Sequence, residues 1–256
     1  MKFNDKCVFI TGASSGIGRS CAEEFAKIGA RLLLCARRED KLTEVGNDLQ
    51  RRYGVDIHLV TLDVSDADAV EHALSQLPSQ WQVIDVLVNN AGLALGLDKI
   101  QTGKLDDWET MIDINVKGLL YVTRLVLQTM LKRNQGHIIN IGSISSHQVY
   151  QGGAVYCATK FAVKAISEGL KMDIYDSPIR VSSVDPGMVR TEFSNVRFSG
   201  DQEKSDAVYK GLTPLSPEDV AEAVVFCATR PPHVDVREIK IYPTAQTHAL
   251  MSYREK

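Results

Sequence analysis

The feature that most narrows the fold is a regular alternation of short apolar runs and longer amphipathic stretches, repeated almost to the end of the 256-residue chain. CVFI (7–10), RLLLCA (31–36), DIHLVTL (56–62), VIDVLVN (83–89), GHIINIG (136–142), RVSSVD (180–185) and IKIY (239–242) read as strands. Runs apolar on both faces suit a parallel sheet covered by helices on each side. Between them, residues 18–28 place Cys21, Phe25 and Ile28 at helical spacing, and 38–52, 66–77, 107–133, 155–175 and 217–229 behave alike. Ser216, Pro217 and the acids that follow form a clean helix start. No linker, repeat or low-complexity tract interrupts the pattern. It predicts one doubly wound α/β domain over residues 1–256, with ligands beyond the carboxyl ends of the strands.

Composition removes several classes of function. A net charge of −3 with interspersed signs offers no basic field for nucleic acid or anionic lipid. No uncharged apolar run approaches the roughly 18 residues of a membrane span, and the opening MKFNDKCVFITG lacks a signal-peptide pattern. The five cysteines are scattered and without a CxxC pair, as in a reducing compartment, so a soluble cytoplasmic protein is expected. The six histidines lack ligand spacing, and no metal site is expected.

The first strand runs into TGASSGIGRS, which places Gly12, Ser14, Ser15, Gly16, Ile17 and Gly18 between a strand and a helix. Glycines let the backbone approach a pyrophosphate, and a helix N-terminus offers unpaired N–H groups to it. This is the context of a Rossmann-type dinucleotide site. The second strand then closes on Arg37 and Arg38, where a site for NAD usually carries an acid. A guanidinium there suits the 2′-phosphate of NADP. The alternative is a pair of solvated charges balanced by Glu39 and Asp40.

In AVYCATKF (154–161), Tyr156 and Lys160 stand one helical turn apart, about 6 Å along the axis. A free phenol is only about one part in a thousand ionised at pH 7. An ammonium about 4 Å away, at an effective dielectric near 20, favours phenolate by roughly 4 kcal/mol. That is about three pKa units before discounts, enough to poise a tyrosine for acid–base work.

TGASSGIG, NNAG (89–92), Asn115, Ser143, YCATK and PGMVRT (186–191), in this order, resemble the short-chain dehydrogenase/reductases over essentially the whole chain. TEFSNVRFSGD (191–201) and the segments LTPLSPEDVAEAV and IKIYPTAQ are similar to NADP-dependent 3-hydroxy acid (serine-type) dehydrogenases. The resemblance implies that Tyr156 exchanges the substrate hydroxyl proton and that Ser143 steadies the reacting oxygen. Lys160 would tune the tyrosine and hold the nicotinamide ribose. Asn115 would hold a water leading from Lys160 to solvent, unless it simply caps or bends its helix. By position, Asp63 and Val64 would flank the adenine, and Asn89, Ala91 and Gly92 the ribose. Pro186, Gly187, Val189 and Thr191 would meet the nicotinamide end, although Thr191 could instead cap the next helix.

Substrate choice is expected in SHQVYQGGAVY (146–156) and in a segment about 187–215. Gly152 and Gly153 would leave room beside the reacting carbon, or form a plain turn. Arg190 and Arg197 are available partners for a carboxylate, or else solvated. The leading expectation is NADP-linked oxidation of a small 3-hydroxy acid, serine or 3-hydroxypropionate-like. A broad carbonyl or 3-oxoacyl reductase and a catalytically silent NADP-binding regulator are the alternatives. Segments 107–133 and 155–175 resemble those that pair subunits into homodimers and homotetramers, though the sheet could satisfy their apolar stripes. The tail YPTAQTHALMSYREK lacks the glycine-rich ending common in the family, and its role stays open.

Overall fold

The computed structural model describes residues 3–255. All seven apolar runs become strands: β1 (Cys7–Thr11), β2 (Arg31–Ala36), β3 (Ile57–Thr61), β4 (Val86–Asn89), β5 (His137–Ile141), β6 (Arg180–Pro186) and β7 (Glu238–Ile241). They form a wholly parallel sheet in the order β3-β2-β1-β4-β5-β6-β7. The order reverses between β1 and β4, so the loops leaving these neighbours part and open a crevice above their carboxyl ends.

The connections carry α1 (Gly16–Lys27), α2 (Glu39–Tyr53), α3 (Ala67–Ser75), α4 (Leu105–Ile112), α5 (Leu119–Arg133), α6 (Ala154–Asp173), α7 (Phe193–Arg197), α8 (Gln202–Ala207) and α9 (Pro217–Ala228). Strand alternation sorts the core into two layers. Val8, Ile10, Leu32 and Leu34 pack with α1, α2 and α9, while Cys7, Phe9, Leu33 and Cys35 pack with α3 to α6. Residues such as Phe9, Leu33 and Ile138 are completely buried, which is why these strands read as unbroken apolar runs. The expected start of α9 is realised as a capping box. The Asp219 N–H donates to Ser216 Oγ at 3.3 Å, and Ser216 N–H donates to the Asp219 carboxylate at 2.7 Å.

One part differs from expectation, and the tail, left open by the sequence, takes a definite fold. The stretch expected as one helix over 107–133 is interrupted by a wide π-type turn, Asp113–Gly118, between α4 and α5. Gly118 is required there, because a Cβ would press on the backbone of Val64 at about its carbonyl. The tail folds into an antiparallel hairpin, β8 (Gln246–His248) and β9 (Met251–Ser252). Gln246 is buried beneath the turn after β6, accepting from Met188 N–H at 2.8 Å. Ala249 N–H donates to Gln148 at 2.8 Å, and Arg254 donates to the Val208 and Lys210 carbonyls. Among the described residues no helix is long and apolar enough to cross a membrane.

Far from the crevice, at the start of β5, His137 is 1% exposed and its Nε2 meets Ser182 Oγ at 2.8 Å. Burial, with the nearby Arg180 charge, holds its pKa well below the ordinary value. The unfolded chain therefore binds a proton there before the folded one does, and the contribution to stability falls as pH drops below about 6.5. We expect up to about 1.4 kcal/mol lost per pH unit in denaturant unfolding between pH 6.5 and 5. His137→Gln should flatten that part of the slope even if the variant is less stable throughout.

Candidate active site

The crevice begins with the turn after β1. Gly12 and Gly16 adopt left-handed backbone, φ +66° and +52°. The first turn of α1 carries no acid, and the Ser15 hydroxyl makes no cap bond, so its N–H groups are open to an anion. Gly18 serves close packing rather than the crevice wall, because a Cβ there would collide with the Gly12 carbonyl and Asn90 Nδ2. Asn90 fastens the turn, donating to the Thr11 and Gly12 carbonyls at 2.9 and 3.1 Å.

At the end of β2 no acid faces the crevice. Arg38 donates to Ser15 Oγ at 2.9 Å and Ser14 Oγ at 3.3 Å, and through Nη1 to Glu192 at 3.0 Å. Lys41 reaches the other Glu192 oxygen at 2.9 Å. Lys41 and Arg38 hold this carboxyl below its usual range. The corner thus already binds an oxyanion between two cations, one of them steadied by two hydroxyls. Arg37 is held loosely, 3.5 Å from Asp63. Ser14, Ser15, Gly16, Ile17, Arg37, Arg38, Asp63 and Val64 all line the crevice, as do Ala91, Gly92, Pro186, Gly187, Val189 and Thr191. Thr191 lines the crevice, and its Oγ accepts from Phe193 N–H at 3.1 Å just before α7.

Ser143, Tyr156 and Lys160 meet on the same wall. Ser143 follows β5 and opens a short turn by accepting from Ser145 N–H at 3.0 Å, which leaves its own proton free to donate. Lys160 is 7% exposed and donates to the Ile141 carbonyl at 2.9 Å. Burial lowers it to about 8, against which Asp185 pulls it up. The expected depression of Tyr156 by Lys160 is not what the protein shows. Burial, with Tyr150 beside it, pushes the phenol up, while Arg197 and a hydrogen bond from Ser143 work in the opposite direction. A dry site penalises phenolate more than its neighbours reward it. Burial thus favours the protonated phenol at neutral pH.

Of the two arginines available as an anion anchor, Arg197 alone stands beside the tyrosine. Its guanidinium lies 5.0 Å from the Tyr156 ring, 5.5 Å from Phe193 and 5.7 Å from Tyr150, and donates to Tyr150 Oη at 2.6 Å. Arg190 is exposed and stacks over Tyr209 at 5.2 Å. Gly152 and Gly153 realise the turn alternative. Gly152 has φ +78° and packs on the Leu97 carbonyl, and Gly153 lies against the Tyr150 ring. They border a small cavity with Trp108 and Tyr156, apart from the main crevice.

Asn89 does not reach the crevice either. Its amide is 4% exposed and donates to Thr123 and Asn140 at 2.8 and 2.9 Å, locking β4 to β5 and α5. Asn115 sits directly behind Gly92. Its Oδ1 accepts from Leu93 N–H at 2.8 Å, and its Nδ2 donates to the Leu93 carbonyl at 2.8 Å and to Thr159 at 3.0 Å. Both amide protons are taken by protein, and this bracket accompanies the π-type turn. Glu192, Phe193 and Asn90 also line the crevice, although sequence reasoning does not single them out. Glu192 and Phe193 lie in the TEFSN run, and their acidic and aromatic character is the available signal.

A doubly wound parallel sheet, a glycine turn at its switch point and a Ser–Tyr–Lys wall define a dinucleotide-binding α/β oxidoreductase. The short chain dehydrogenase family model matches residues 6–202, and the chain belongs to that family. An NADP-dependent 3-hydroxy acid dehydrogenase of Schizosaccharomyces pombe is 44% identical over 256 residues, 100% of this chain and 99% of that protein. Sulfoacetaldehyde reductase 2 of Chromohalobacter salexigens is 45% identical over 240 residues, covering 93% and 94% of the two chains. Among solved structures, the closed form of serine dehydrogenase complexed with NADP+ superposes with a TM-score of 0.91 at 42% identity, covering 98% of this chain and 100% of that one.

The Asn115 bracket gives a direct test of the site's framework. Asn115→Ala leaves the Leu93 N–H and carbonyl buried without partners, at roughly 2–3 kcal/mol. We expect a fall in Tm of about 5 °C, read by calorimetry. An unchanged Tm would mean that the π-type turn holds itself.

Proposed function

We propose that the protein transfers a hydride between NADP and a small 3-hydroxy acid, serine or 3-hydroxypropionate-like, by a Ser143–Tyr156–Lys160 mechanism. The observation that carries the substrate class is Arg197, a guanidinium caged by Tyr150, Tyr156 and Phe193. An anionic head paired with it would bring a hydroxyl two carbons away toward the phenol. The segment about 187–215, which carries α7, would then be the substrate side of a single domain spanning the chain.

The residues present fit the dinucleotide. The oxyanion of Glu192 on Arg38 and Lys41 shows the chemistry of the corner, which suits a 2′-phosphate shared with Arg37. The Gly12–Gly18 turn would hold the pyrophosphate, Asp63 and Val64 the adenine, and Ala91 and Gly92 the ribose. Pro186, Gly187, Val189 and Thr191 would border the nicotinamide. When bound, NADP accepts or supplies the hydride. In reduction Tyr156, already protonated, gives its proton to the developing alkoxide, and Ser143 donates a hydrogen bond to the same oxygen. In oxidation Tyr156 must first lose its proton, which Arg197 and the Ser143 hydrogen bond favour. Oxidation should therefore rise with pH until Lys160 itself discharges above about 8.

Outward positions on two helices support self-association into a homodimer or homotetramer. Leu120 and Leu131 on α5, and Phe161 and Met172 on α6, are exposed large apolar side chains at matching helical spacing. The five cysteines are buried free thiols, which suits a reducing cytoplasm.

The deciding experiment is initial-rate oxidation of L-serine, 3-hydroxypropionate, 3-hydroxyisobutyrate and a neutral secondary alcohol, with NADP and with NAD, and reduction of sulfoacetaldehyde. We expect the hydroxy acids to turn over with NADP, and Tyr156→Phe to lose 10²–10⁴-fold in kcat, about the worth of general acid–base catalysis, while still binding NADP. Arg197→Gln should raise KM for the acids roughly 10–100-fold, the worth of a charge-assisted pair, and leave the neutral alcohol within about threefold. Equal effects on both would remove the anion anchor. Preference for the sulfonate would keep the anchor and change the head group, and equal use of NAD would remove the role of Arg37 and Arg38.

A further inference from the structure

One cluster beside the reaction site is left unused by this mechanism. Asp185, near the end of β6, is 0% exposed. Ser183 Oγ donates to its Oδ1 at 2.5 Å, and His147 Nε2 meets its Oδ2 at 2.6 Å. His147 closes the short turn that begins at Ser143, and its Nδ1 faces Lys164 Nζ at 3.4 Å. That contact suits an ammonium donating to Nδ1, which puts the imidazole proton on Nε2, toward Asp185. Glu238 Oε2 lies 3.5 Å from the same ring and is paired with Lys240 at 3.0 Å.

The carboxylate also presses against the backbone of the catalytic wall. A Cβ on Gly142 would collide with Asp185 Oδ1, so only glycine fits between Ile141 and Ser143. Ile141 supplies the carbonyl that Lys160 holds, and Ser143 is the next residue but one. We propose that Asp185, gripped by Ser183 and His147 beneath Gly142, is a positioning residue that keeps the Lys160 ammonium charged and directed at the carboxyl edge of β5. The proposal rests on the Ser143–Tyr156–Lys160 reading and names what sustains its lysine.

Three further observations bear on it. Burial lowers Lys160, and the Asp185 carboxylate pulls it back up. Asp185 itself is pushed up by burial, and the Ser183 and His147 hydrogen bonds are what counter this. The ligand atoms of His147, Asp185 and Glu238 lie within 4.8 Å of one another, a spacing that could suit a cation. However, Lys240 from β7 already pairs Glu238 at 3.0 Å, and Lys164 from α6 stands 3.4 Å from the His147 ring, so the cluster carries cations of its own. The cluster is a charge network, with Lys160 at its catalytic end.

The test reads Lys160 directly. In cofactor-free protein carrying 13Cε-labelled lysine, the Lys160 resonance, assigned by its loss in Lys160→Met, should titrate well below ordinary lysines. Asp185→Asn should lower that midpoint further, by about one pH unit, as expected for removing one close charge in a partly buried site. Asp185→Ser should do the same, and Glu238→Gln, which removes a neighbouring acid, should not. The alkaline limb of kcat/KM should move down in parallel with the midpoint. A Lys160 midpoint unmoved in folded Asp185→Asn or Asp185→Ser would overturn the proposal, even if rates fell uniformly. Should neither variant fold, the wild-type 13Cγ signal of Asp185 decides. It must show a step at the Lys160 midpoint that vanishes in Lys160→Met, and its absence would overturn the proposal. Full turnover by Tyr156→Phe would instead sink the catalytic reading, while the lysine titration would still report on the coupling.

Discussion

An ammonium taken out of water sets the terms for everything around it. Lys160 is almost fully buried, and an unpaired charge in such a place costs several kcal/mol. The fold answers by running α6 across the carboxyl edge of β5, where the Ile141 carbonyl ends its strand with a lone pair to spare. It also answers with glycine at position 142, one residue beyond that carbonyl, where a Cβ would collide with Asp185. The same dryness raises the Tyr156 phenol, so one solvent-excluding choice moves the lysine down and the tyrosine up. In that low-dielectric setting each neighbouring charge counts for more than it would in water.

The sheet was legible because its signal is local. Strands buried on both faces must be apolar at every position, and the turns after them must carry glycine or a cap, so seven strands and the start of α9 can be read by eye. The π-type turn could not be read. Leu119, Val122 and Val126 continue the apolar stripe of α4 without a break. What accompanies the widened turn is Asn115 bonding to Leu93, 22 residues away in sequence. Helices α7 and α8 and the β8–β9 hairpin escape a sequence reading for a related reason. They are too short to hold themselves and depend on partners elsewhere, such as Arg254 on the Val208 carbonyl.

At the site, residue types were legible and their energetics were not. Counting one lysine beside one tyrosine predicts a depressed phenol, because spacing reveals charge and hides desolvation. Arg190 and Arg197 look equivalent in sequence. What separates them is that Tyr150, 47 positions earlier, accepts from one guanidinium, while Tyr209 stacks beneath the other at the surface. Asn89 stands next to the crevice-lining Asn90, yet strand alternation turns its side chain into the core. His147 and Asp185, 38 positions apart, meet only because β5 and β6 are neighbours in the sheet.

Helix α7 shows how the two halves of the crevice are mechanically joined. At its start Glu192 is held by Arg38 and Lys41, the cations at the corner after β2. At its end the Arg197 carbonyl accepts from Gly96 N–H at 3.0 Å, and the guanidinium bonds Tyr150. Between them Phe193 meets the Tyr156 ring edge-on at 5.7 Å. Five residues of helix are too short to bend, so the position of the corner and the position of the anchor are not independent. Exposed ion pairs such as those of Glu192 contribute little to global stability. Their consequence is geometric instead: they tie the start of α7 to the corner after β2.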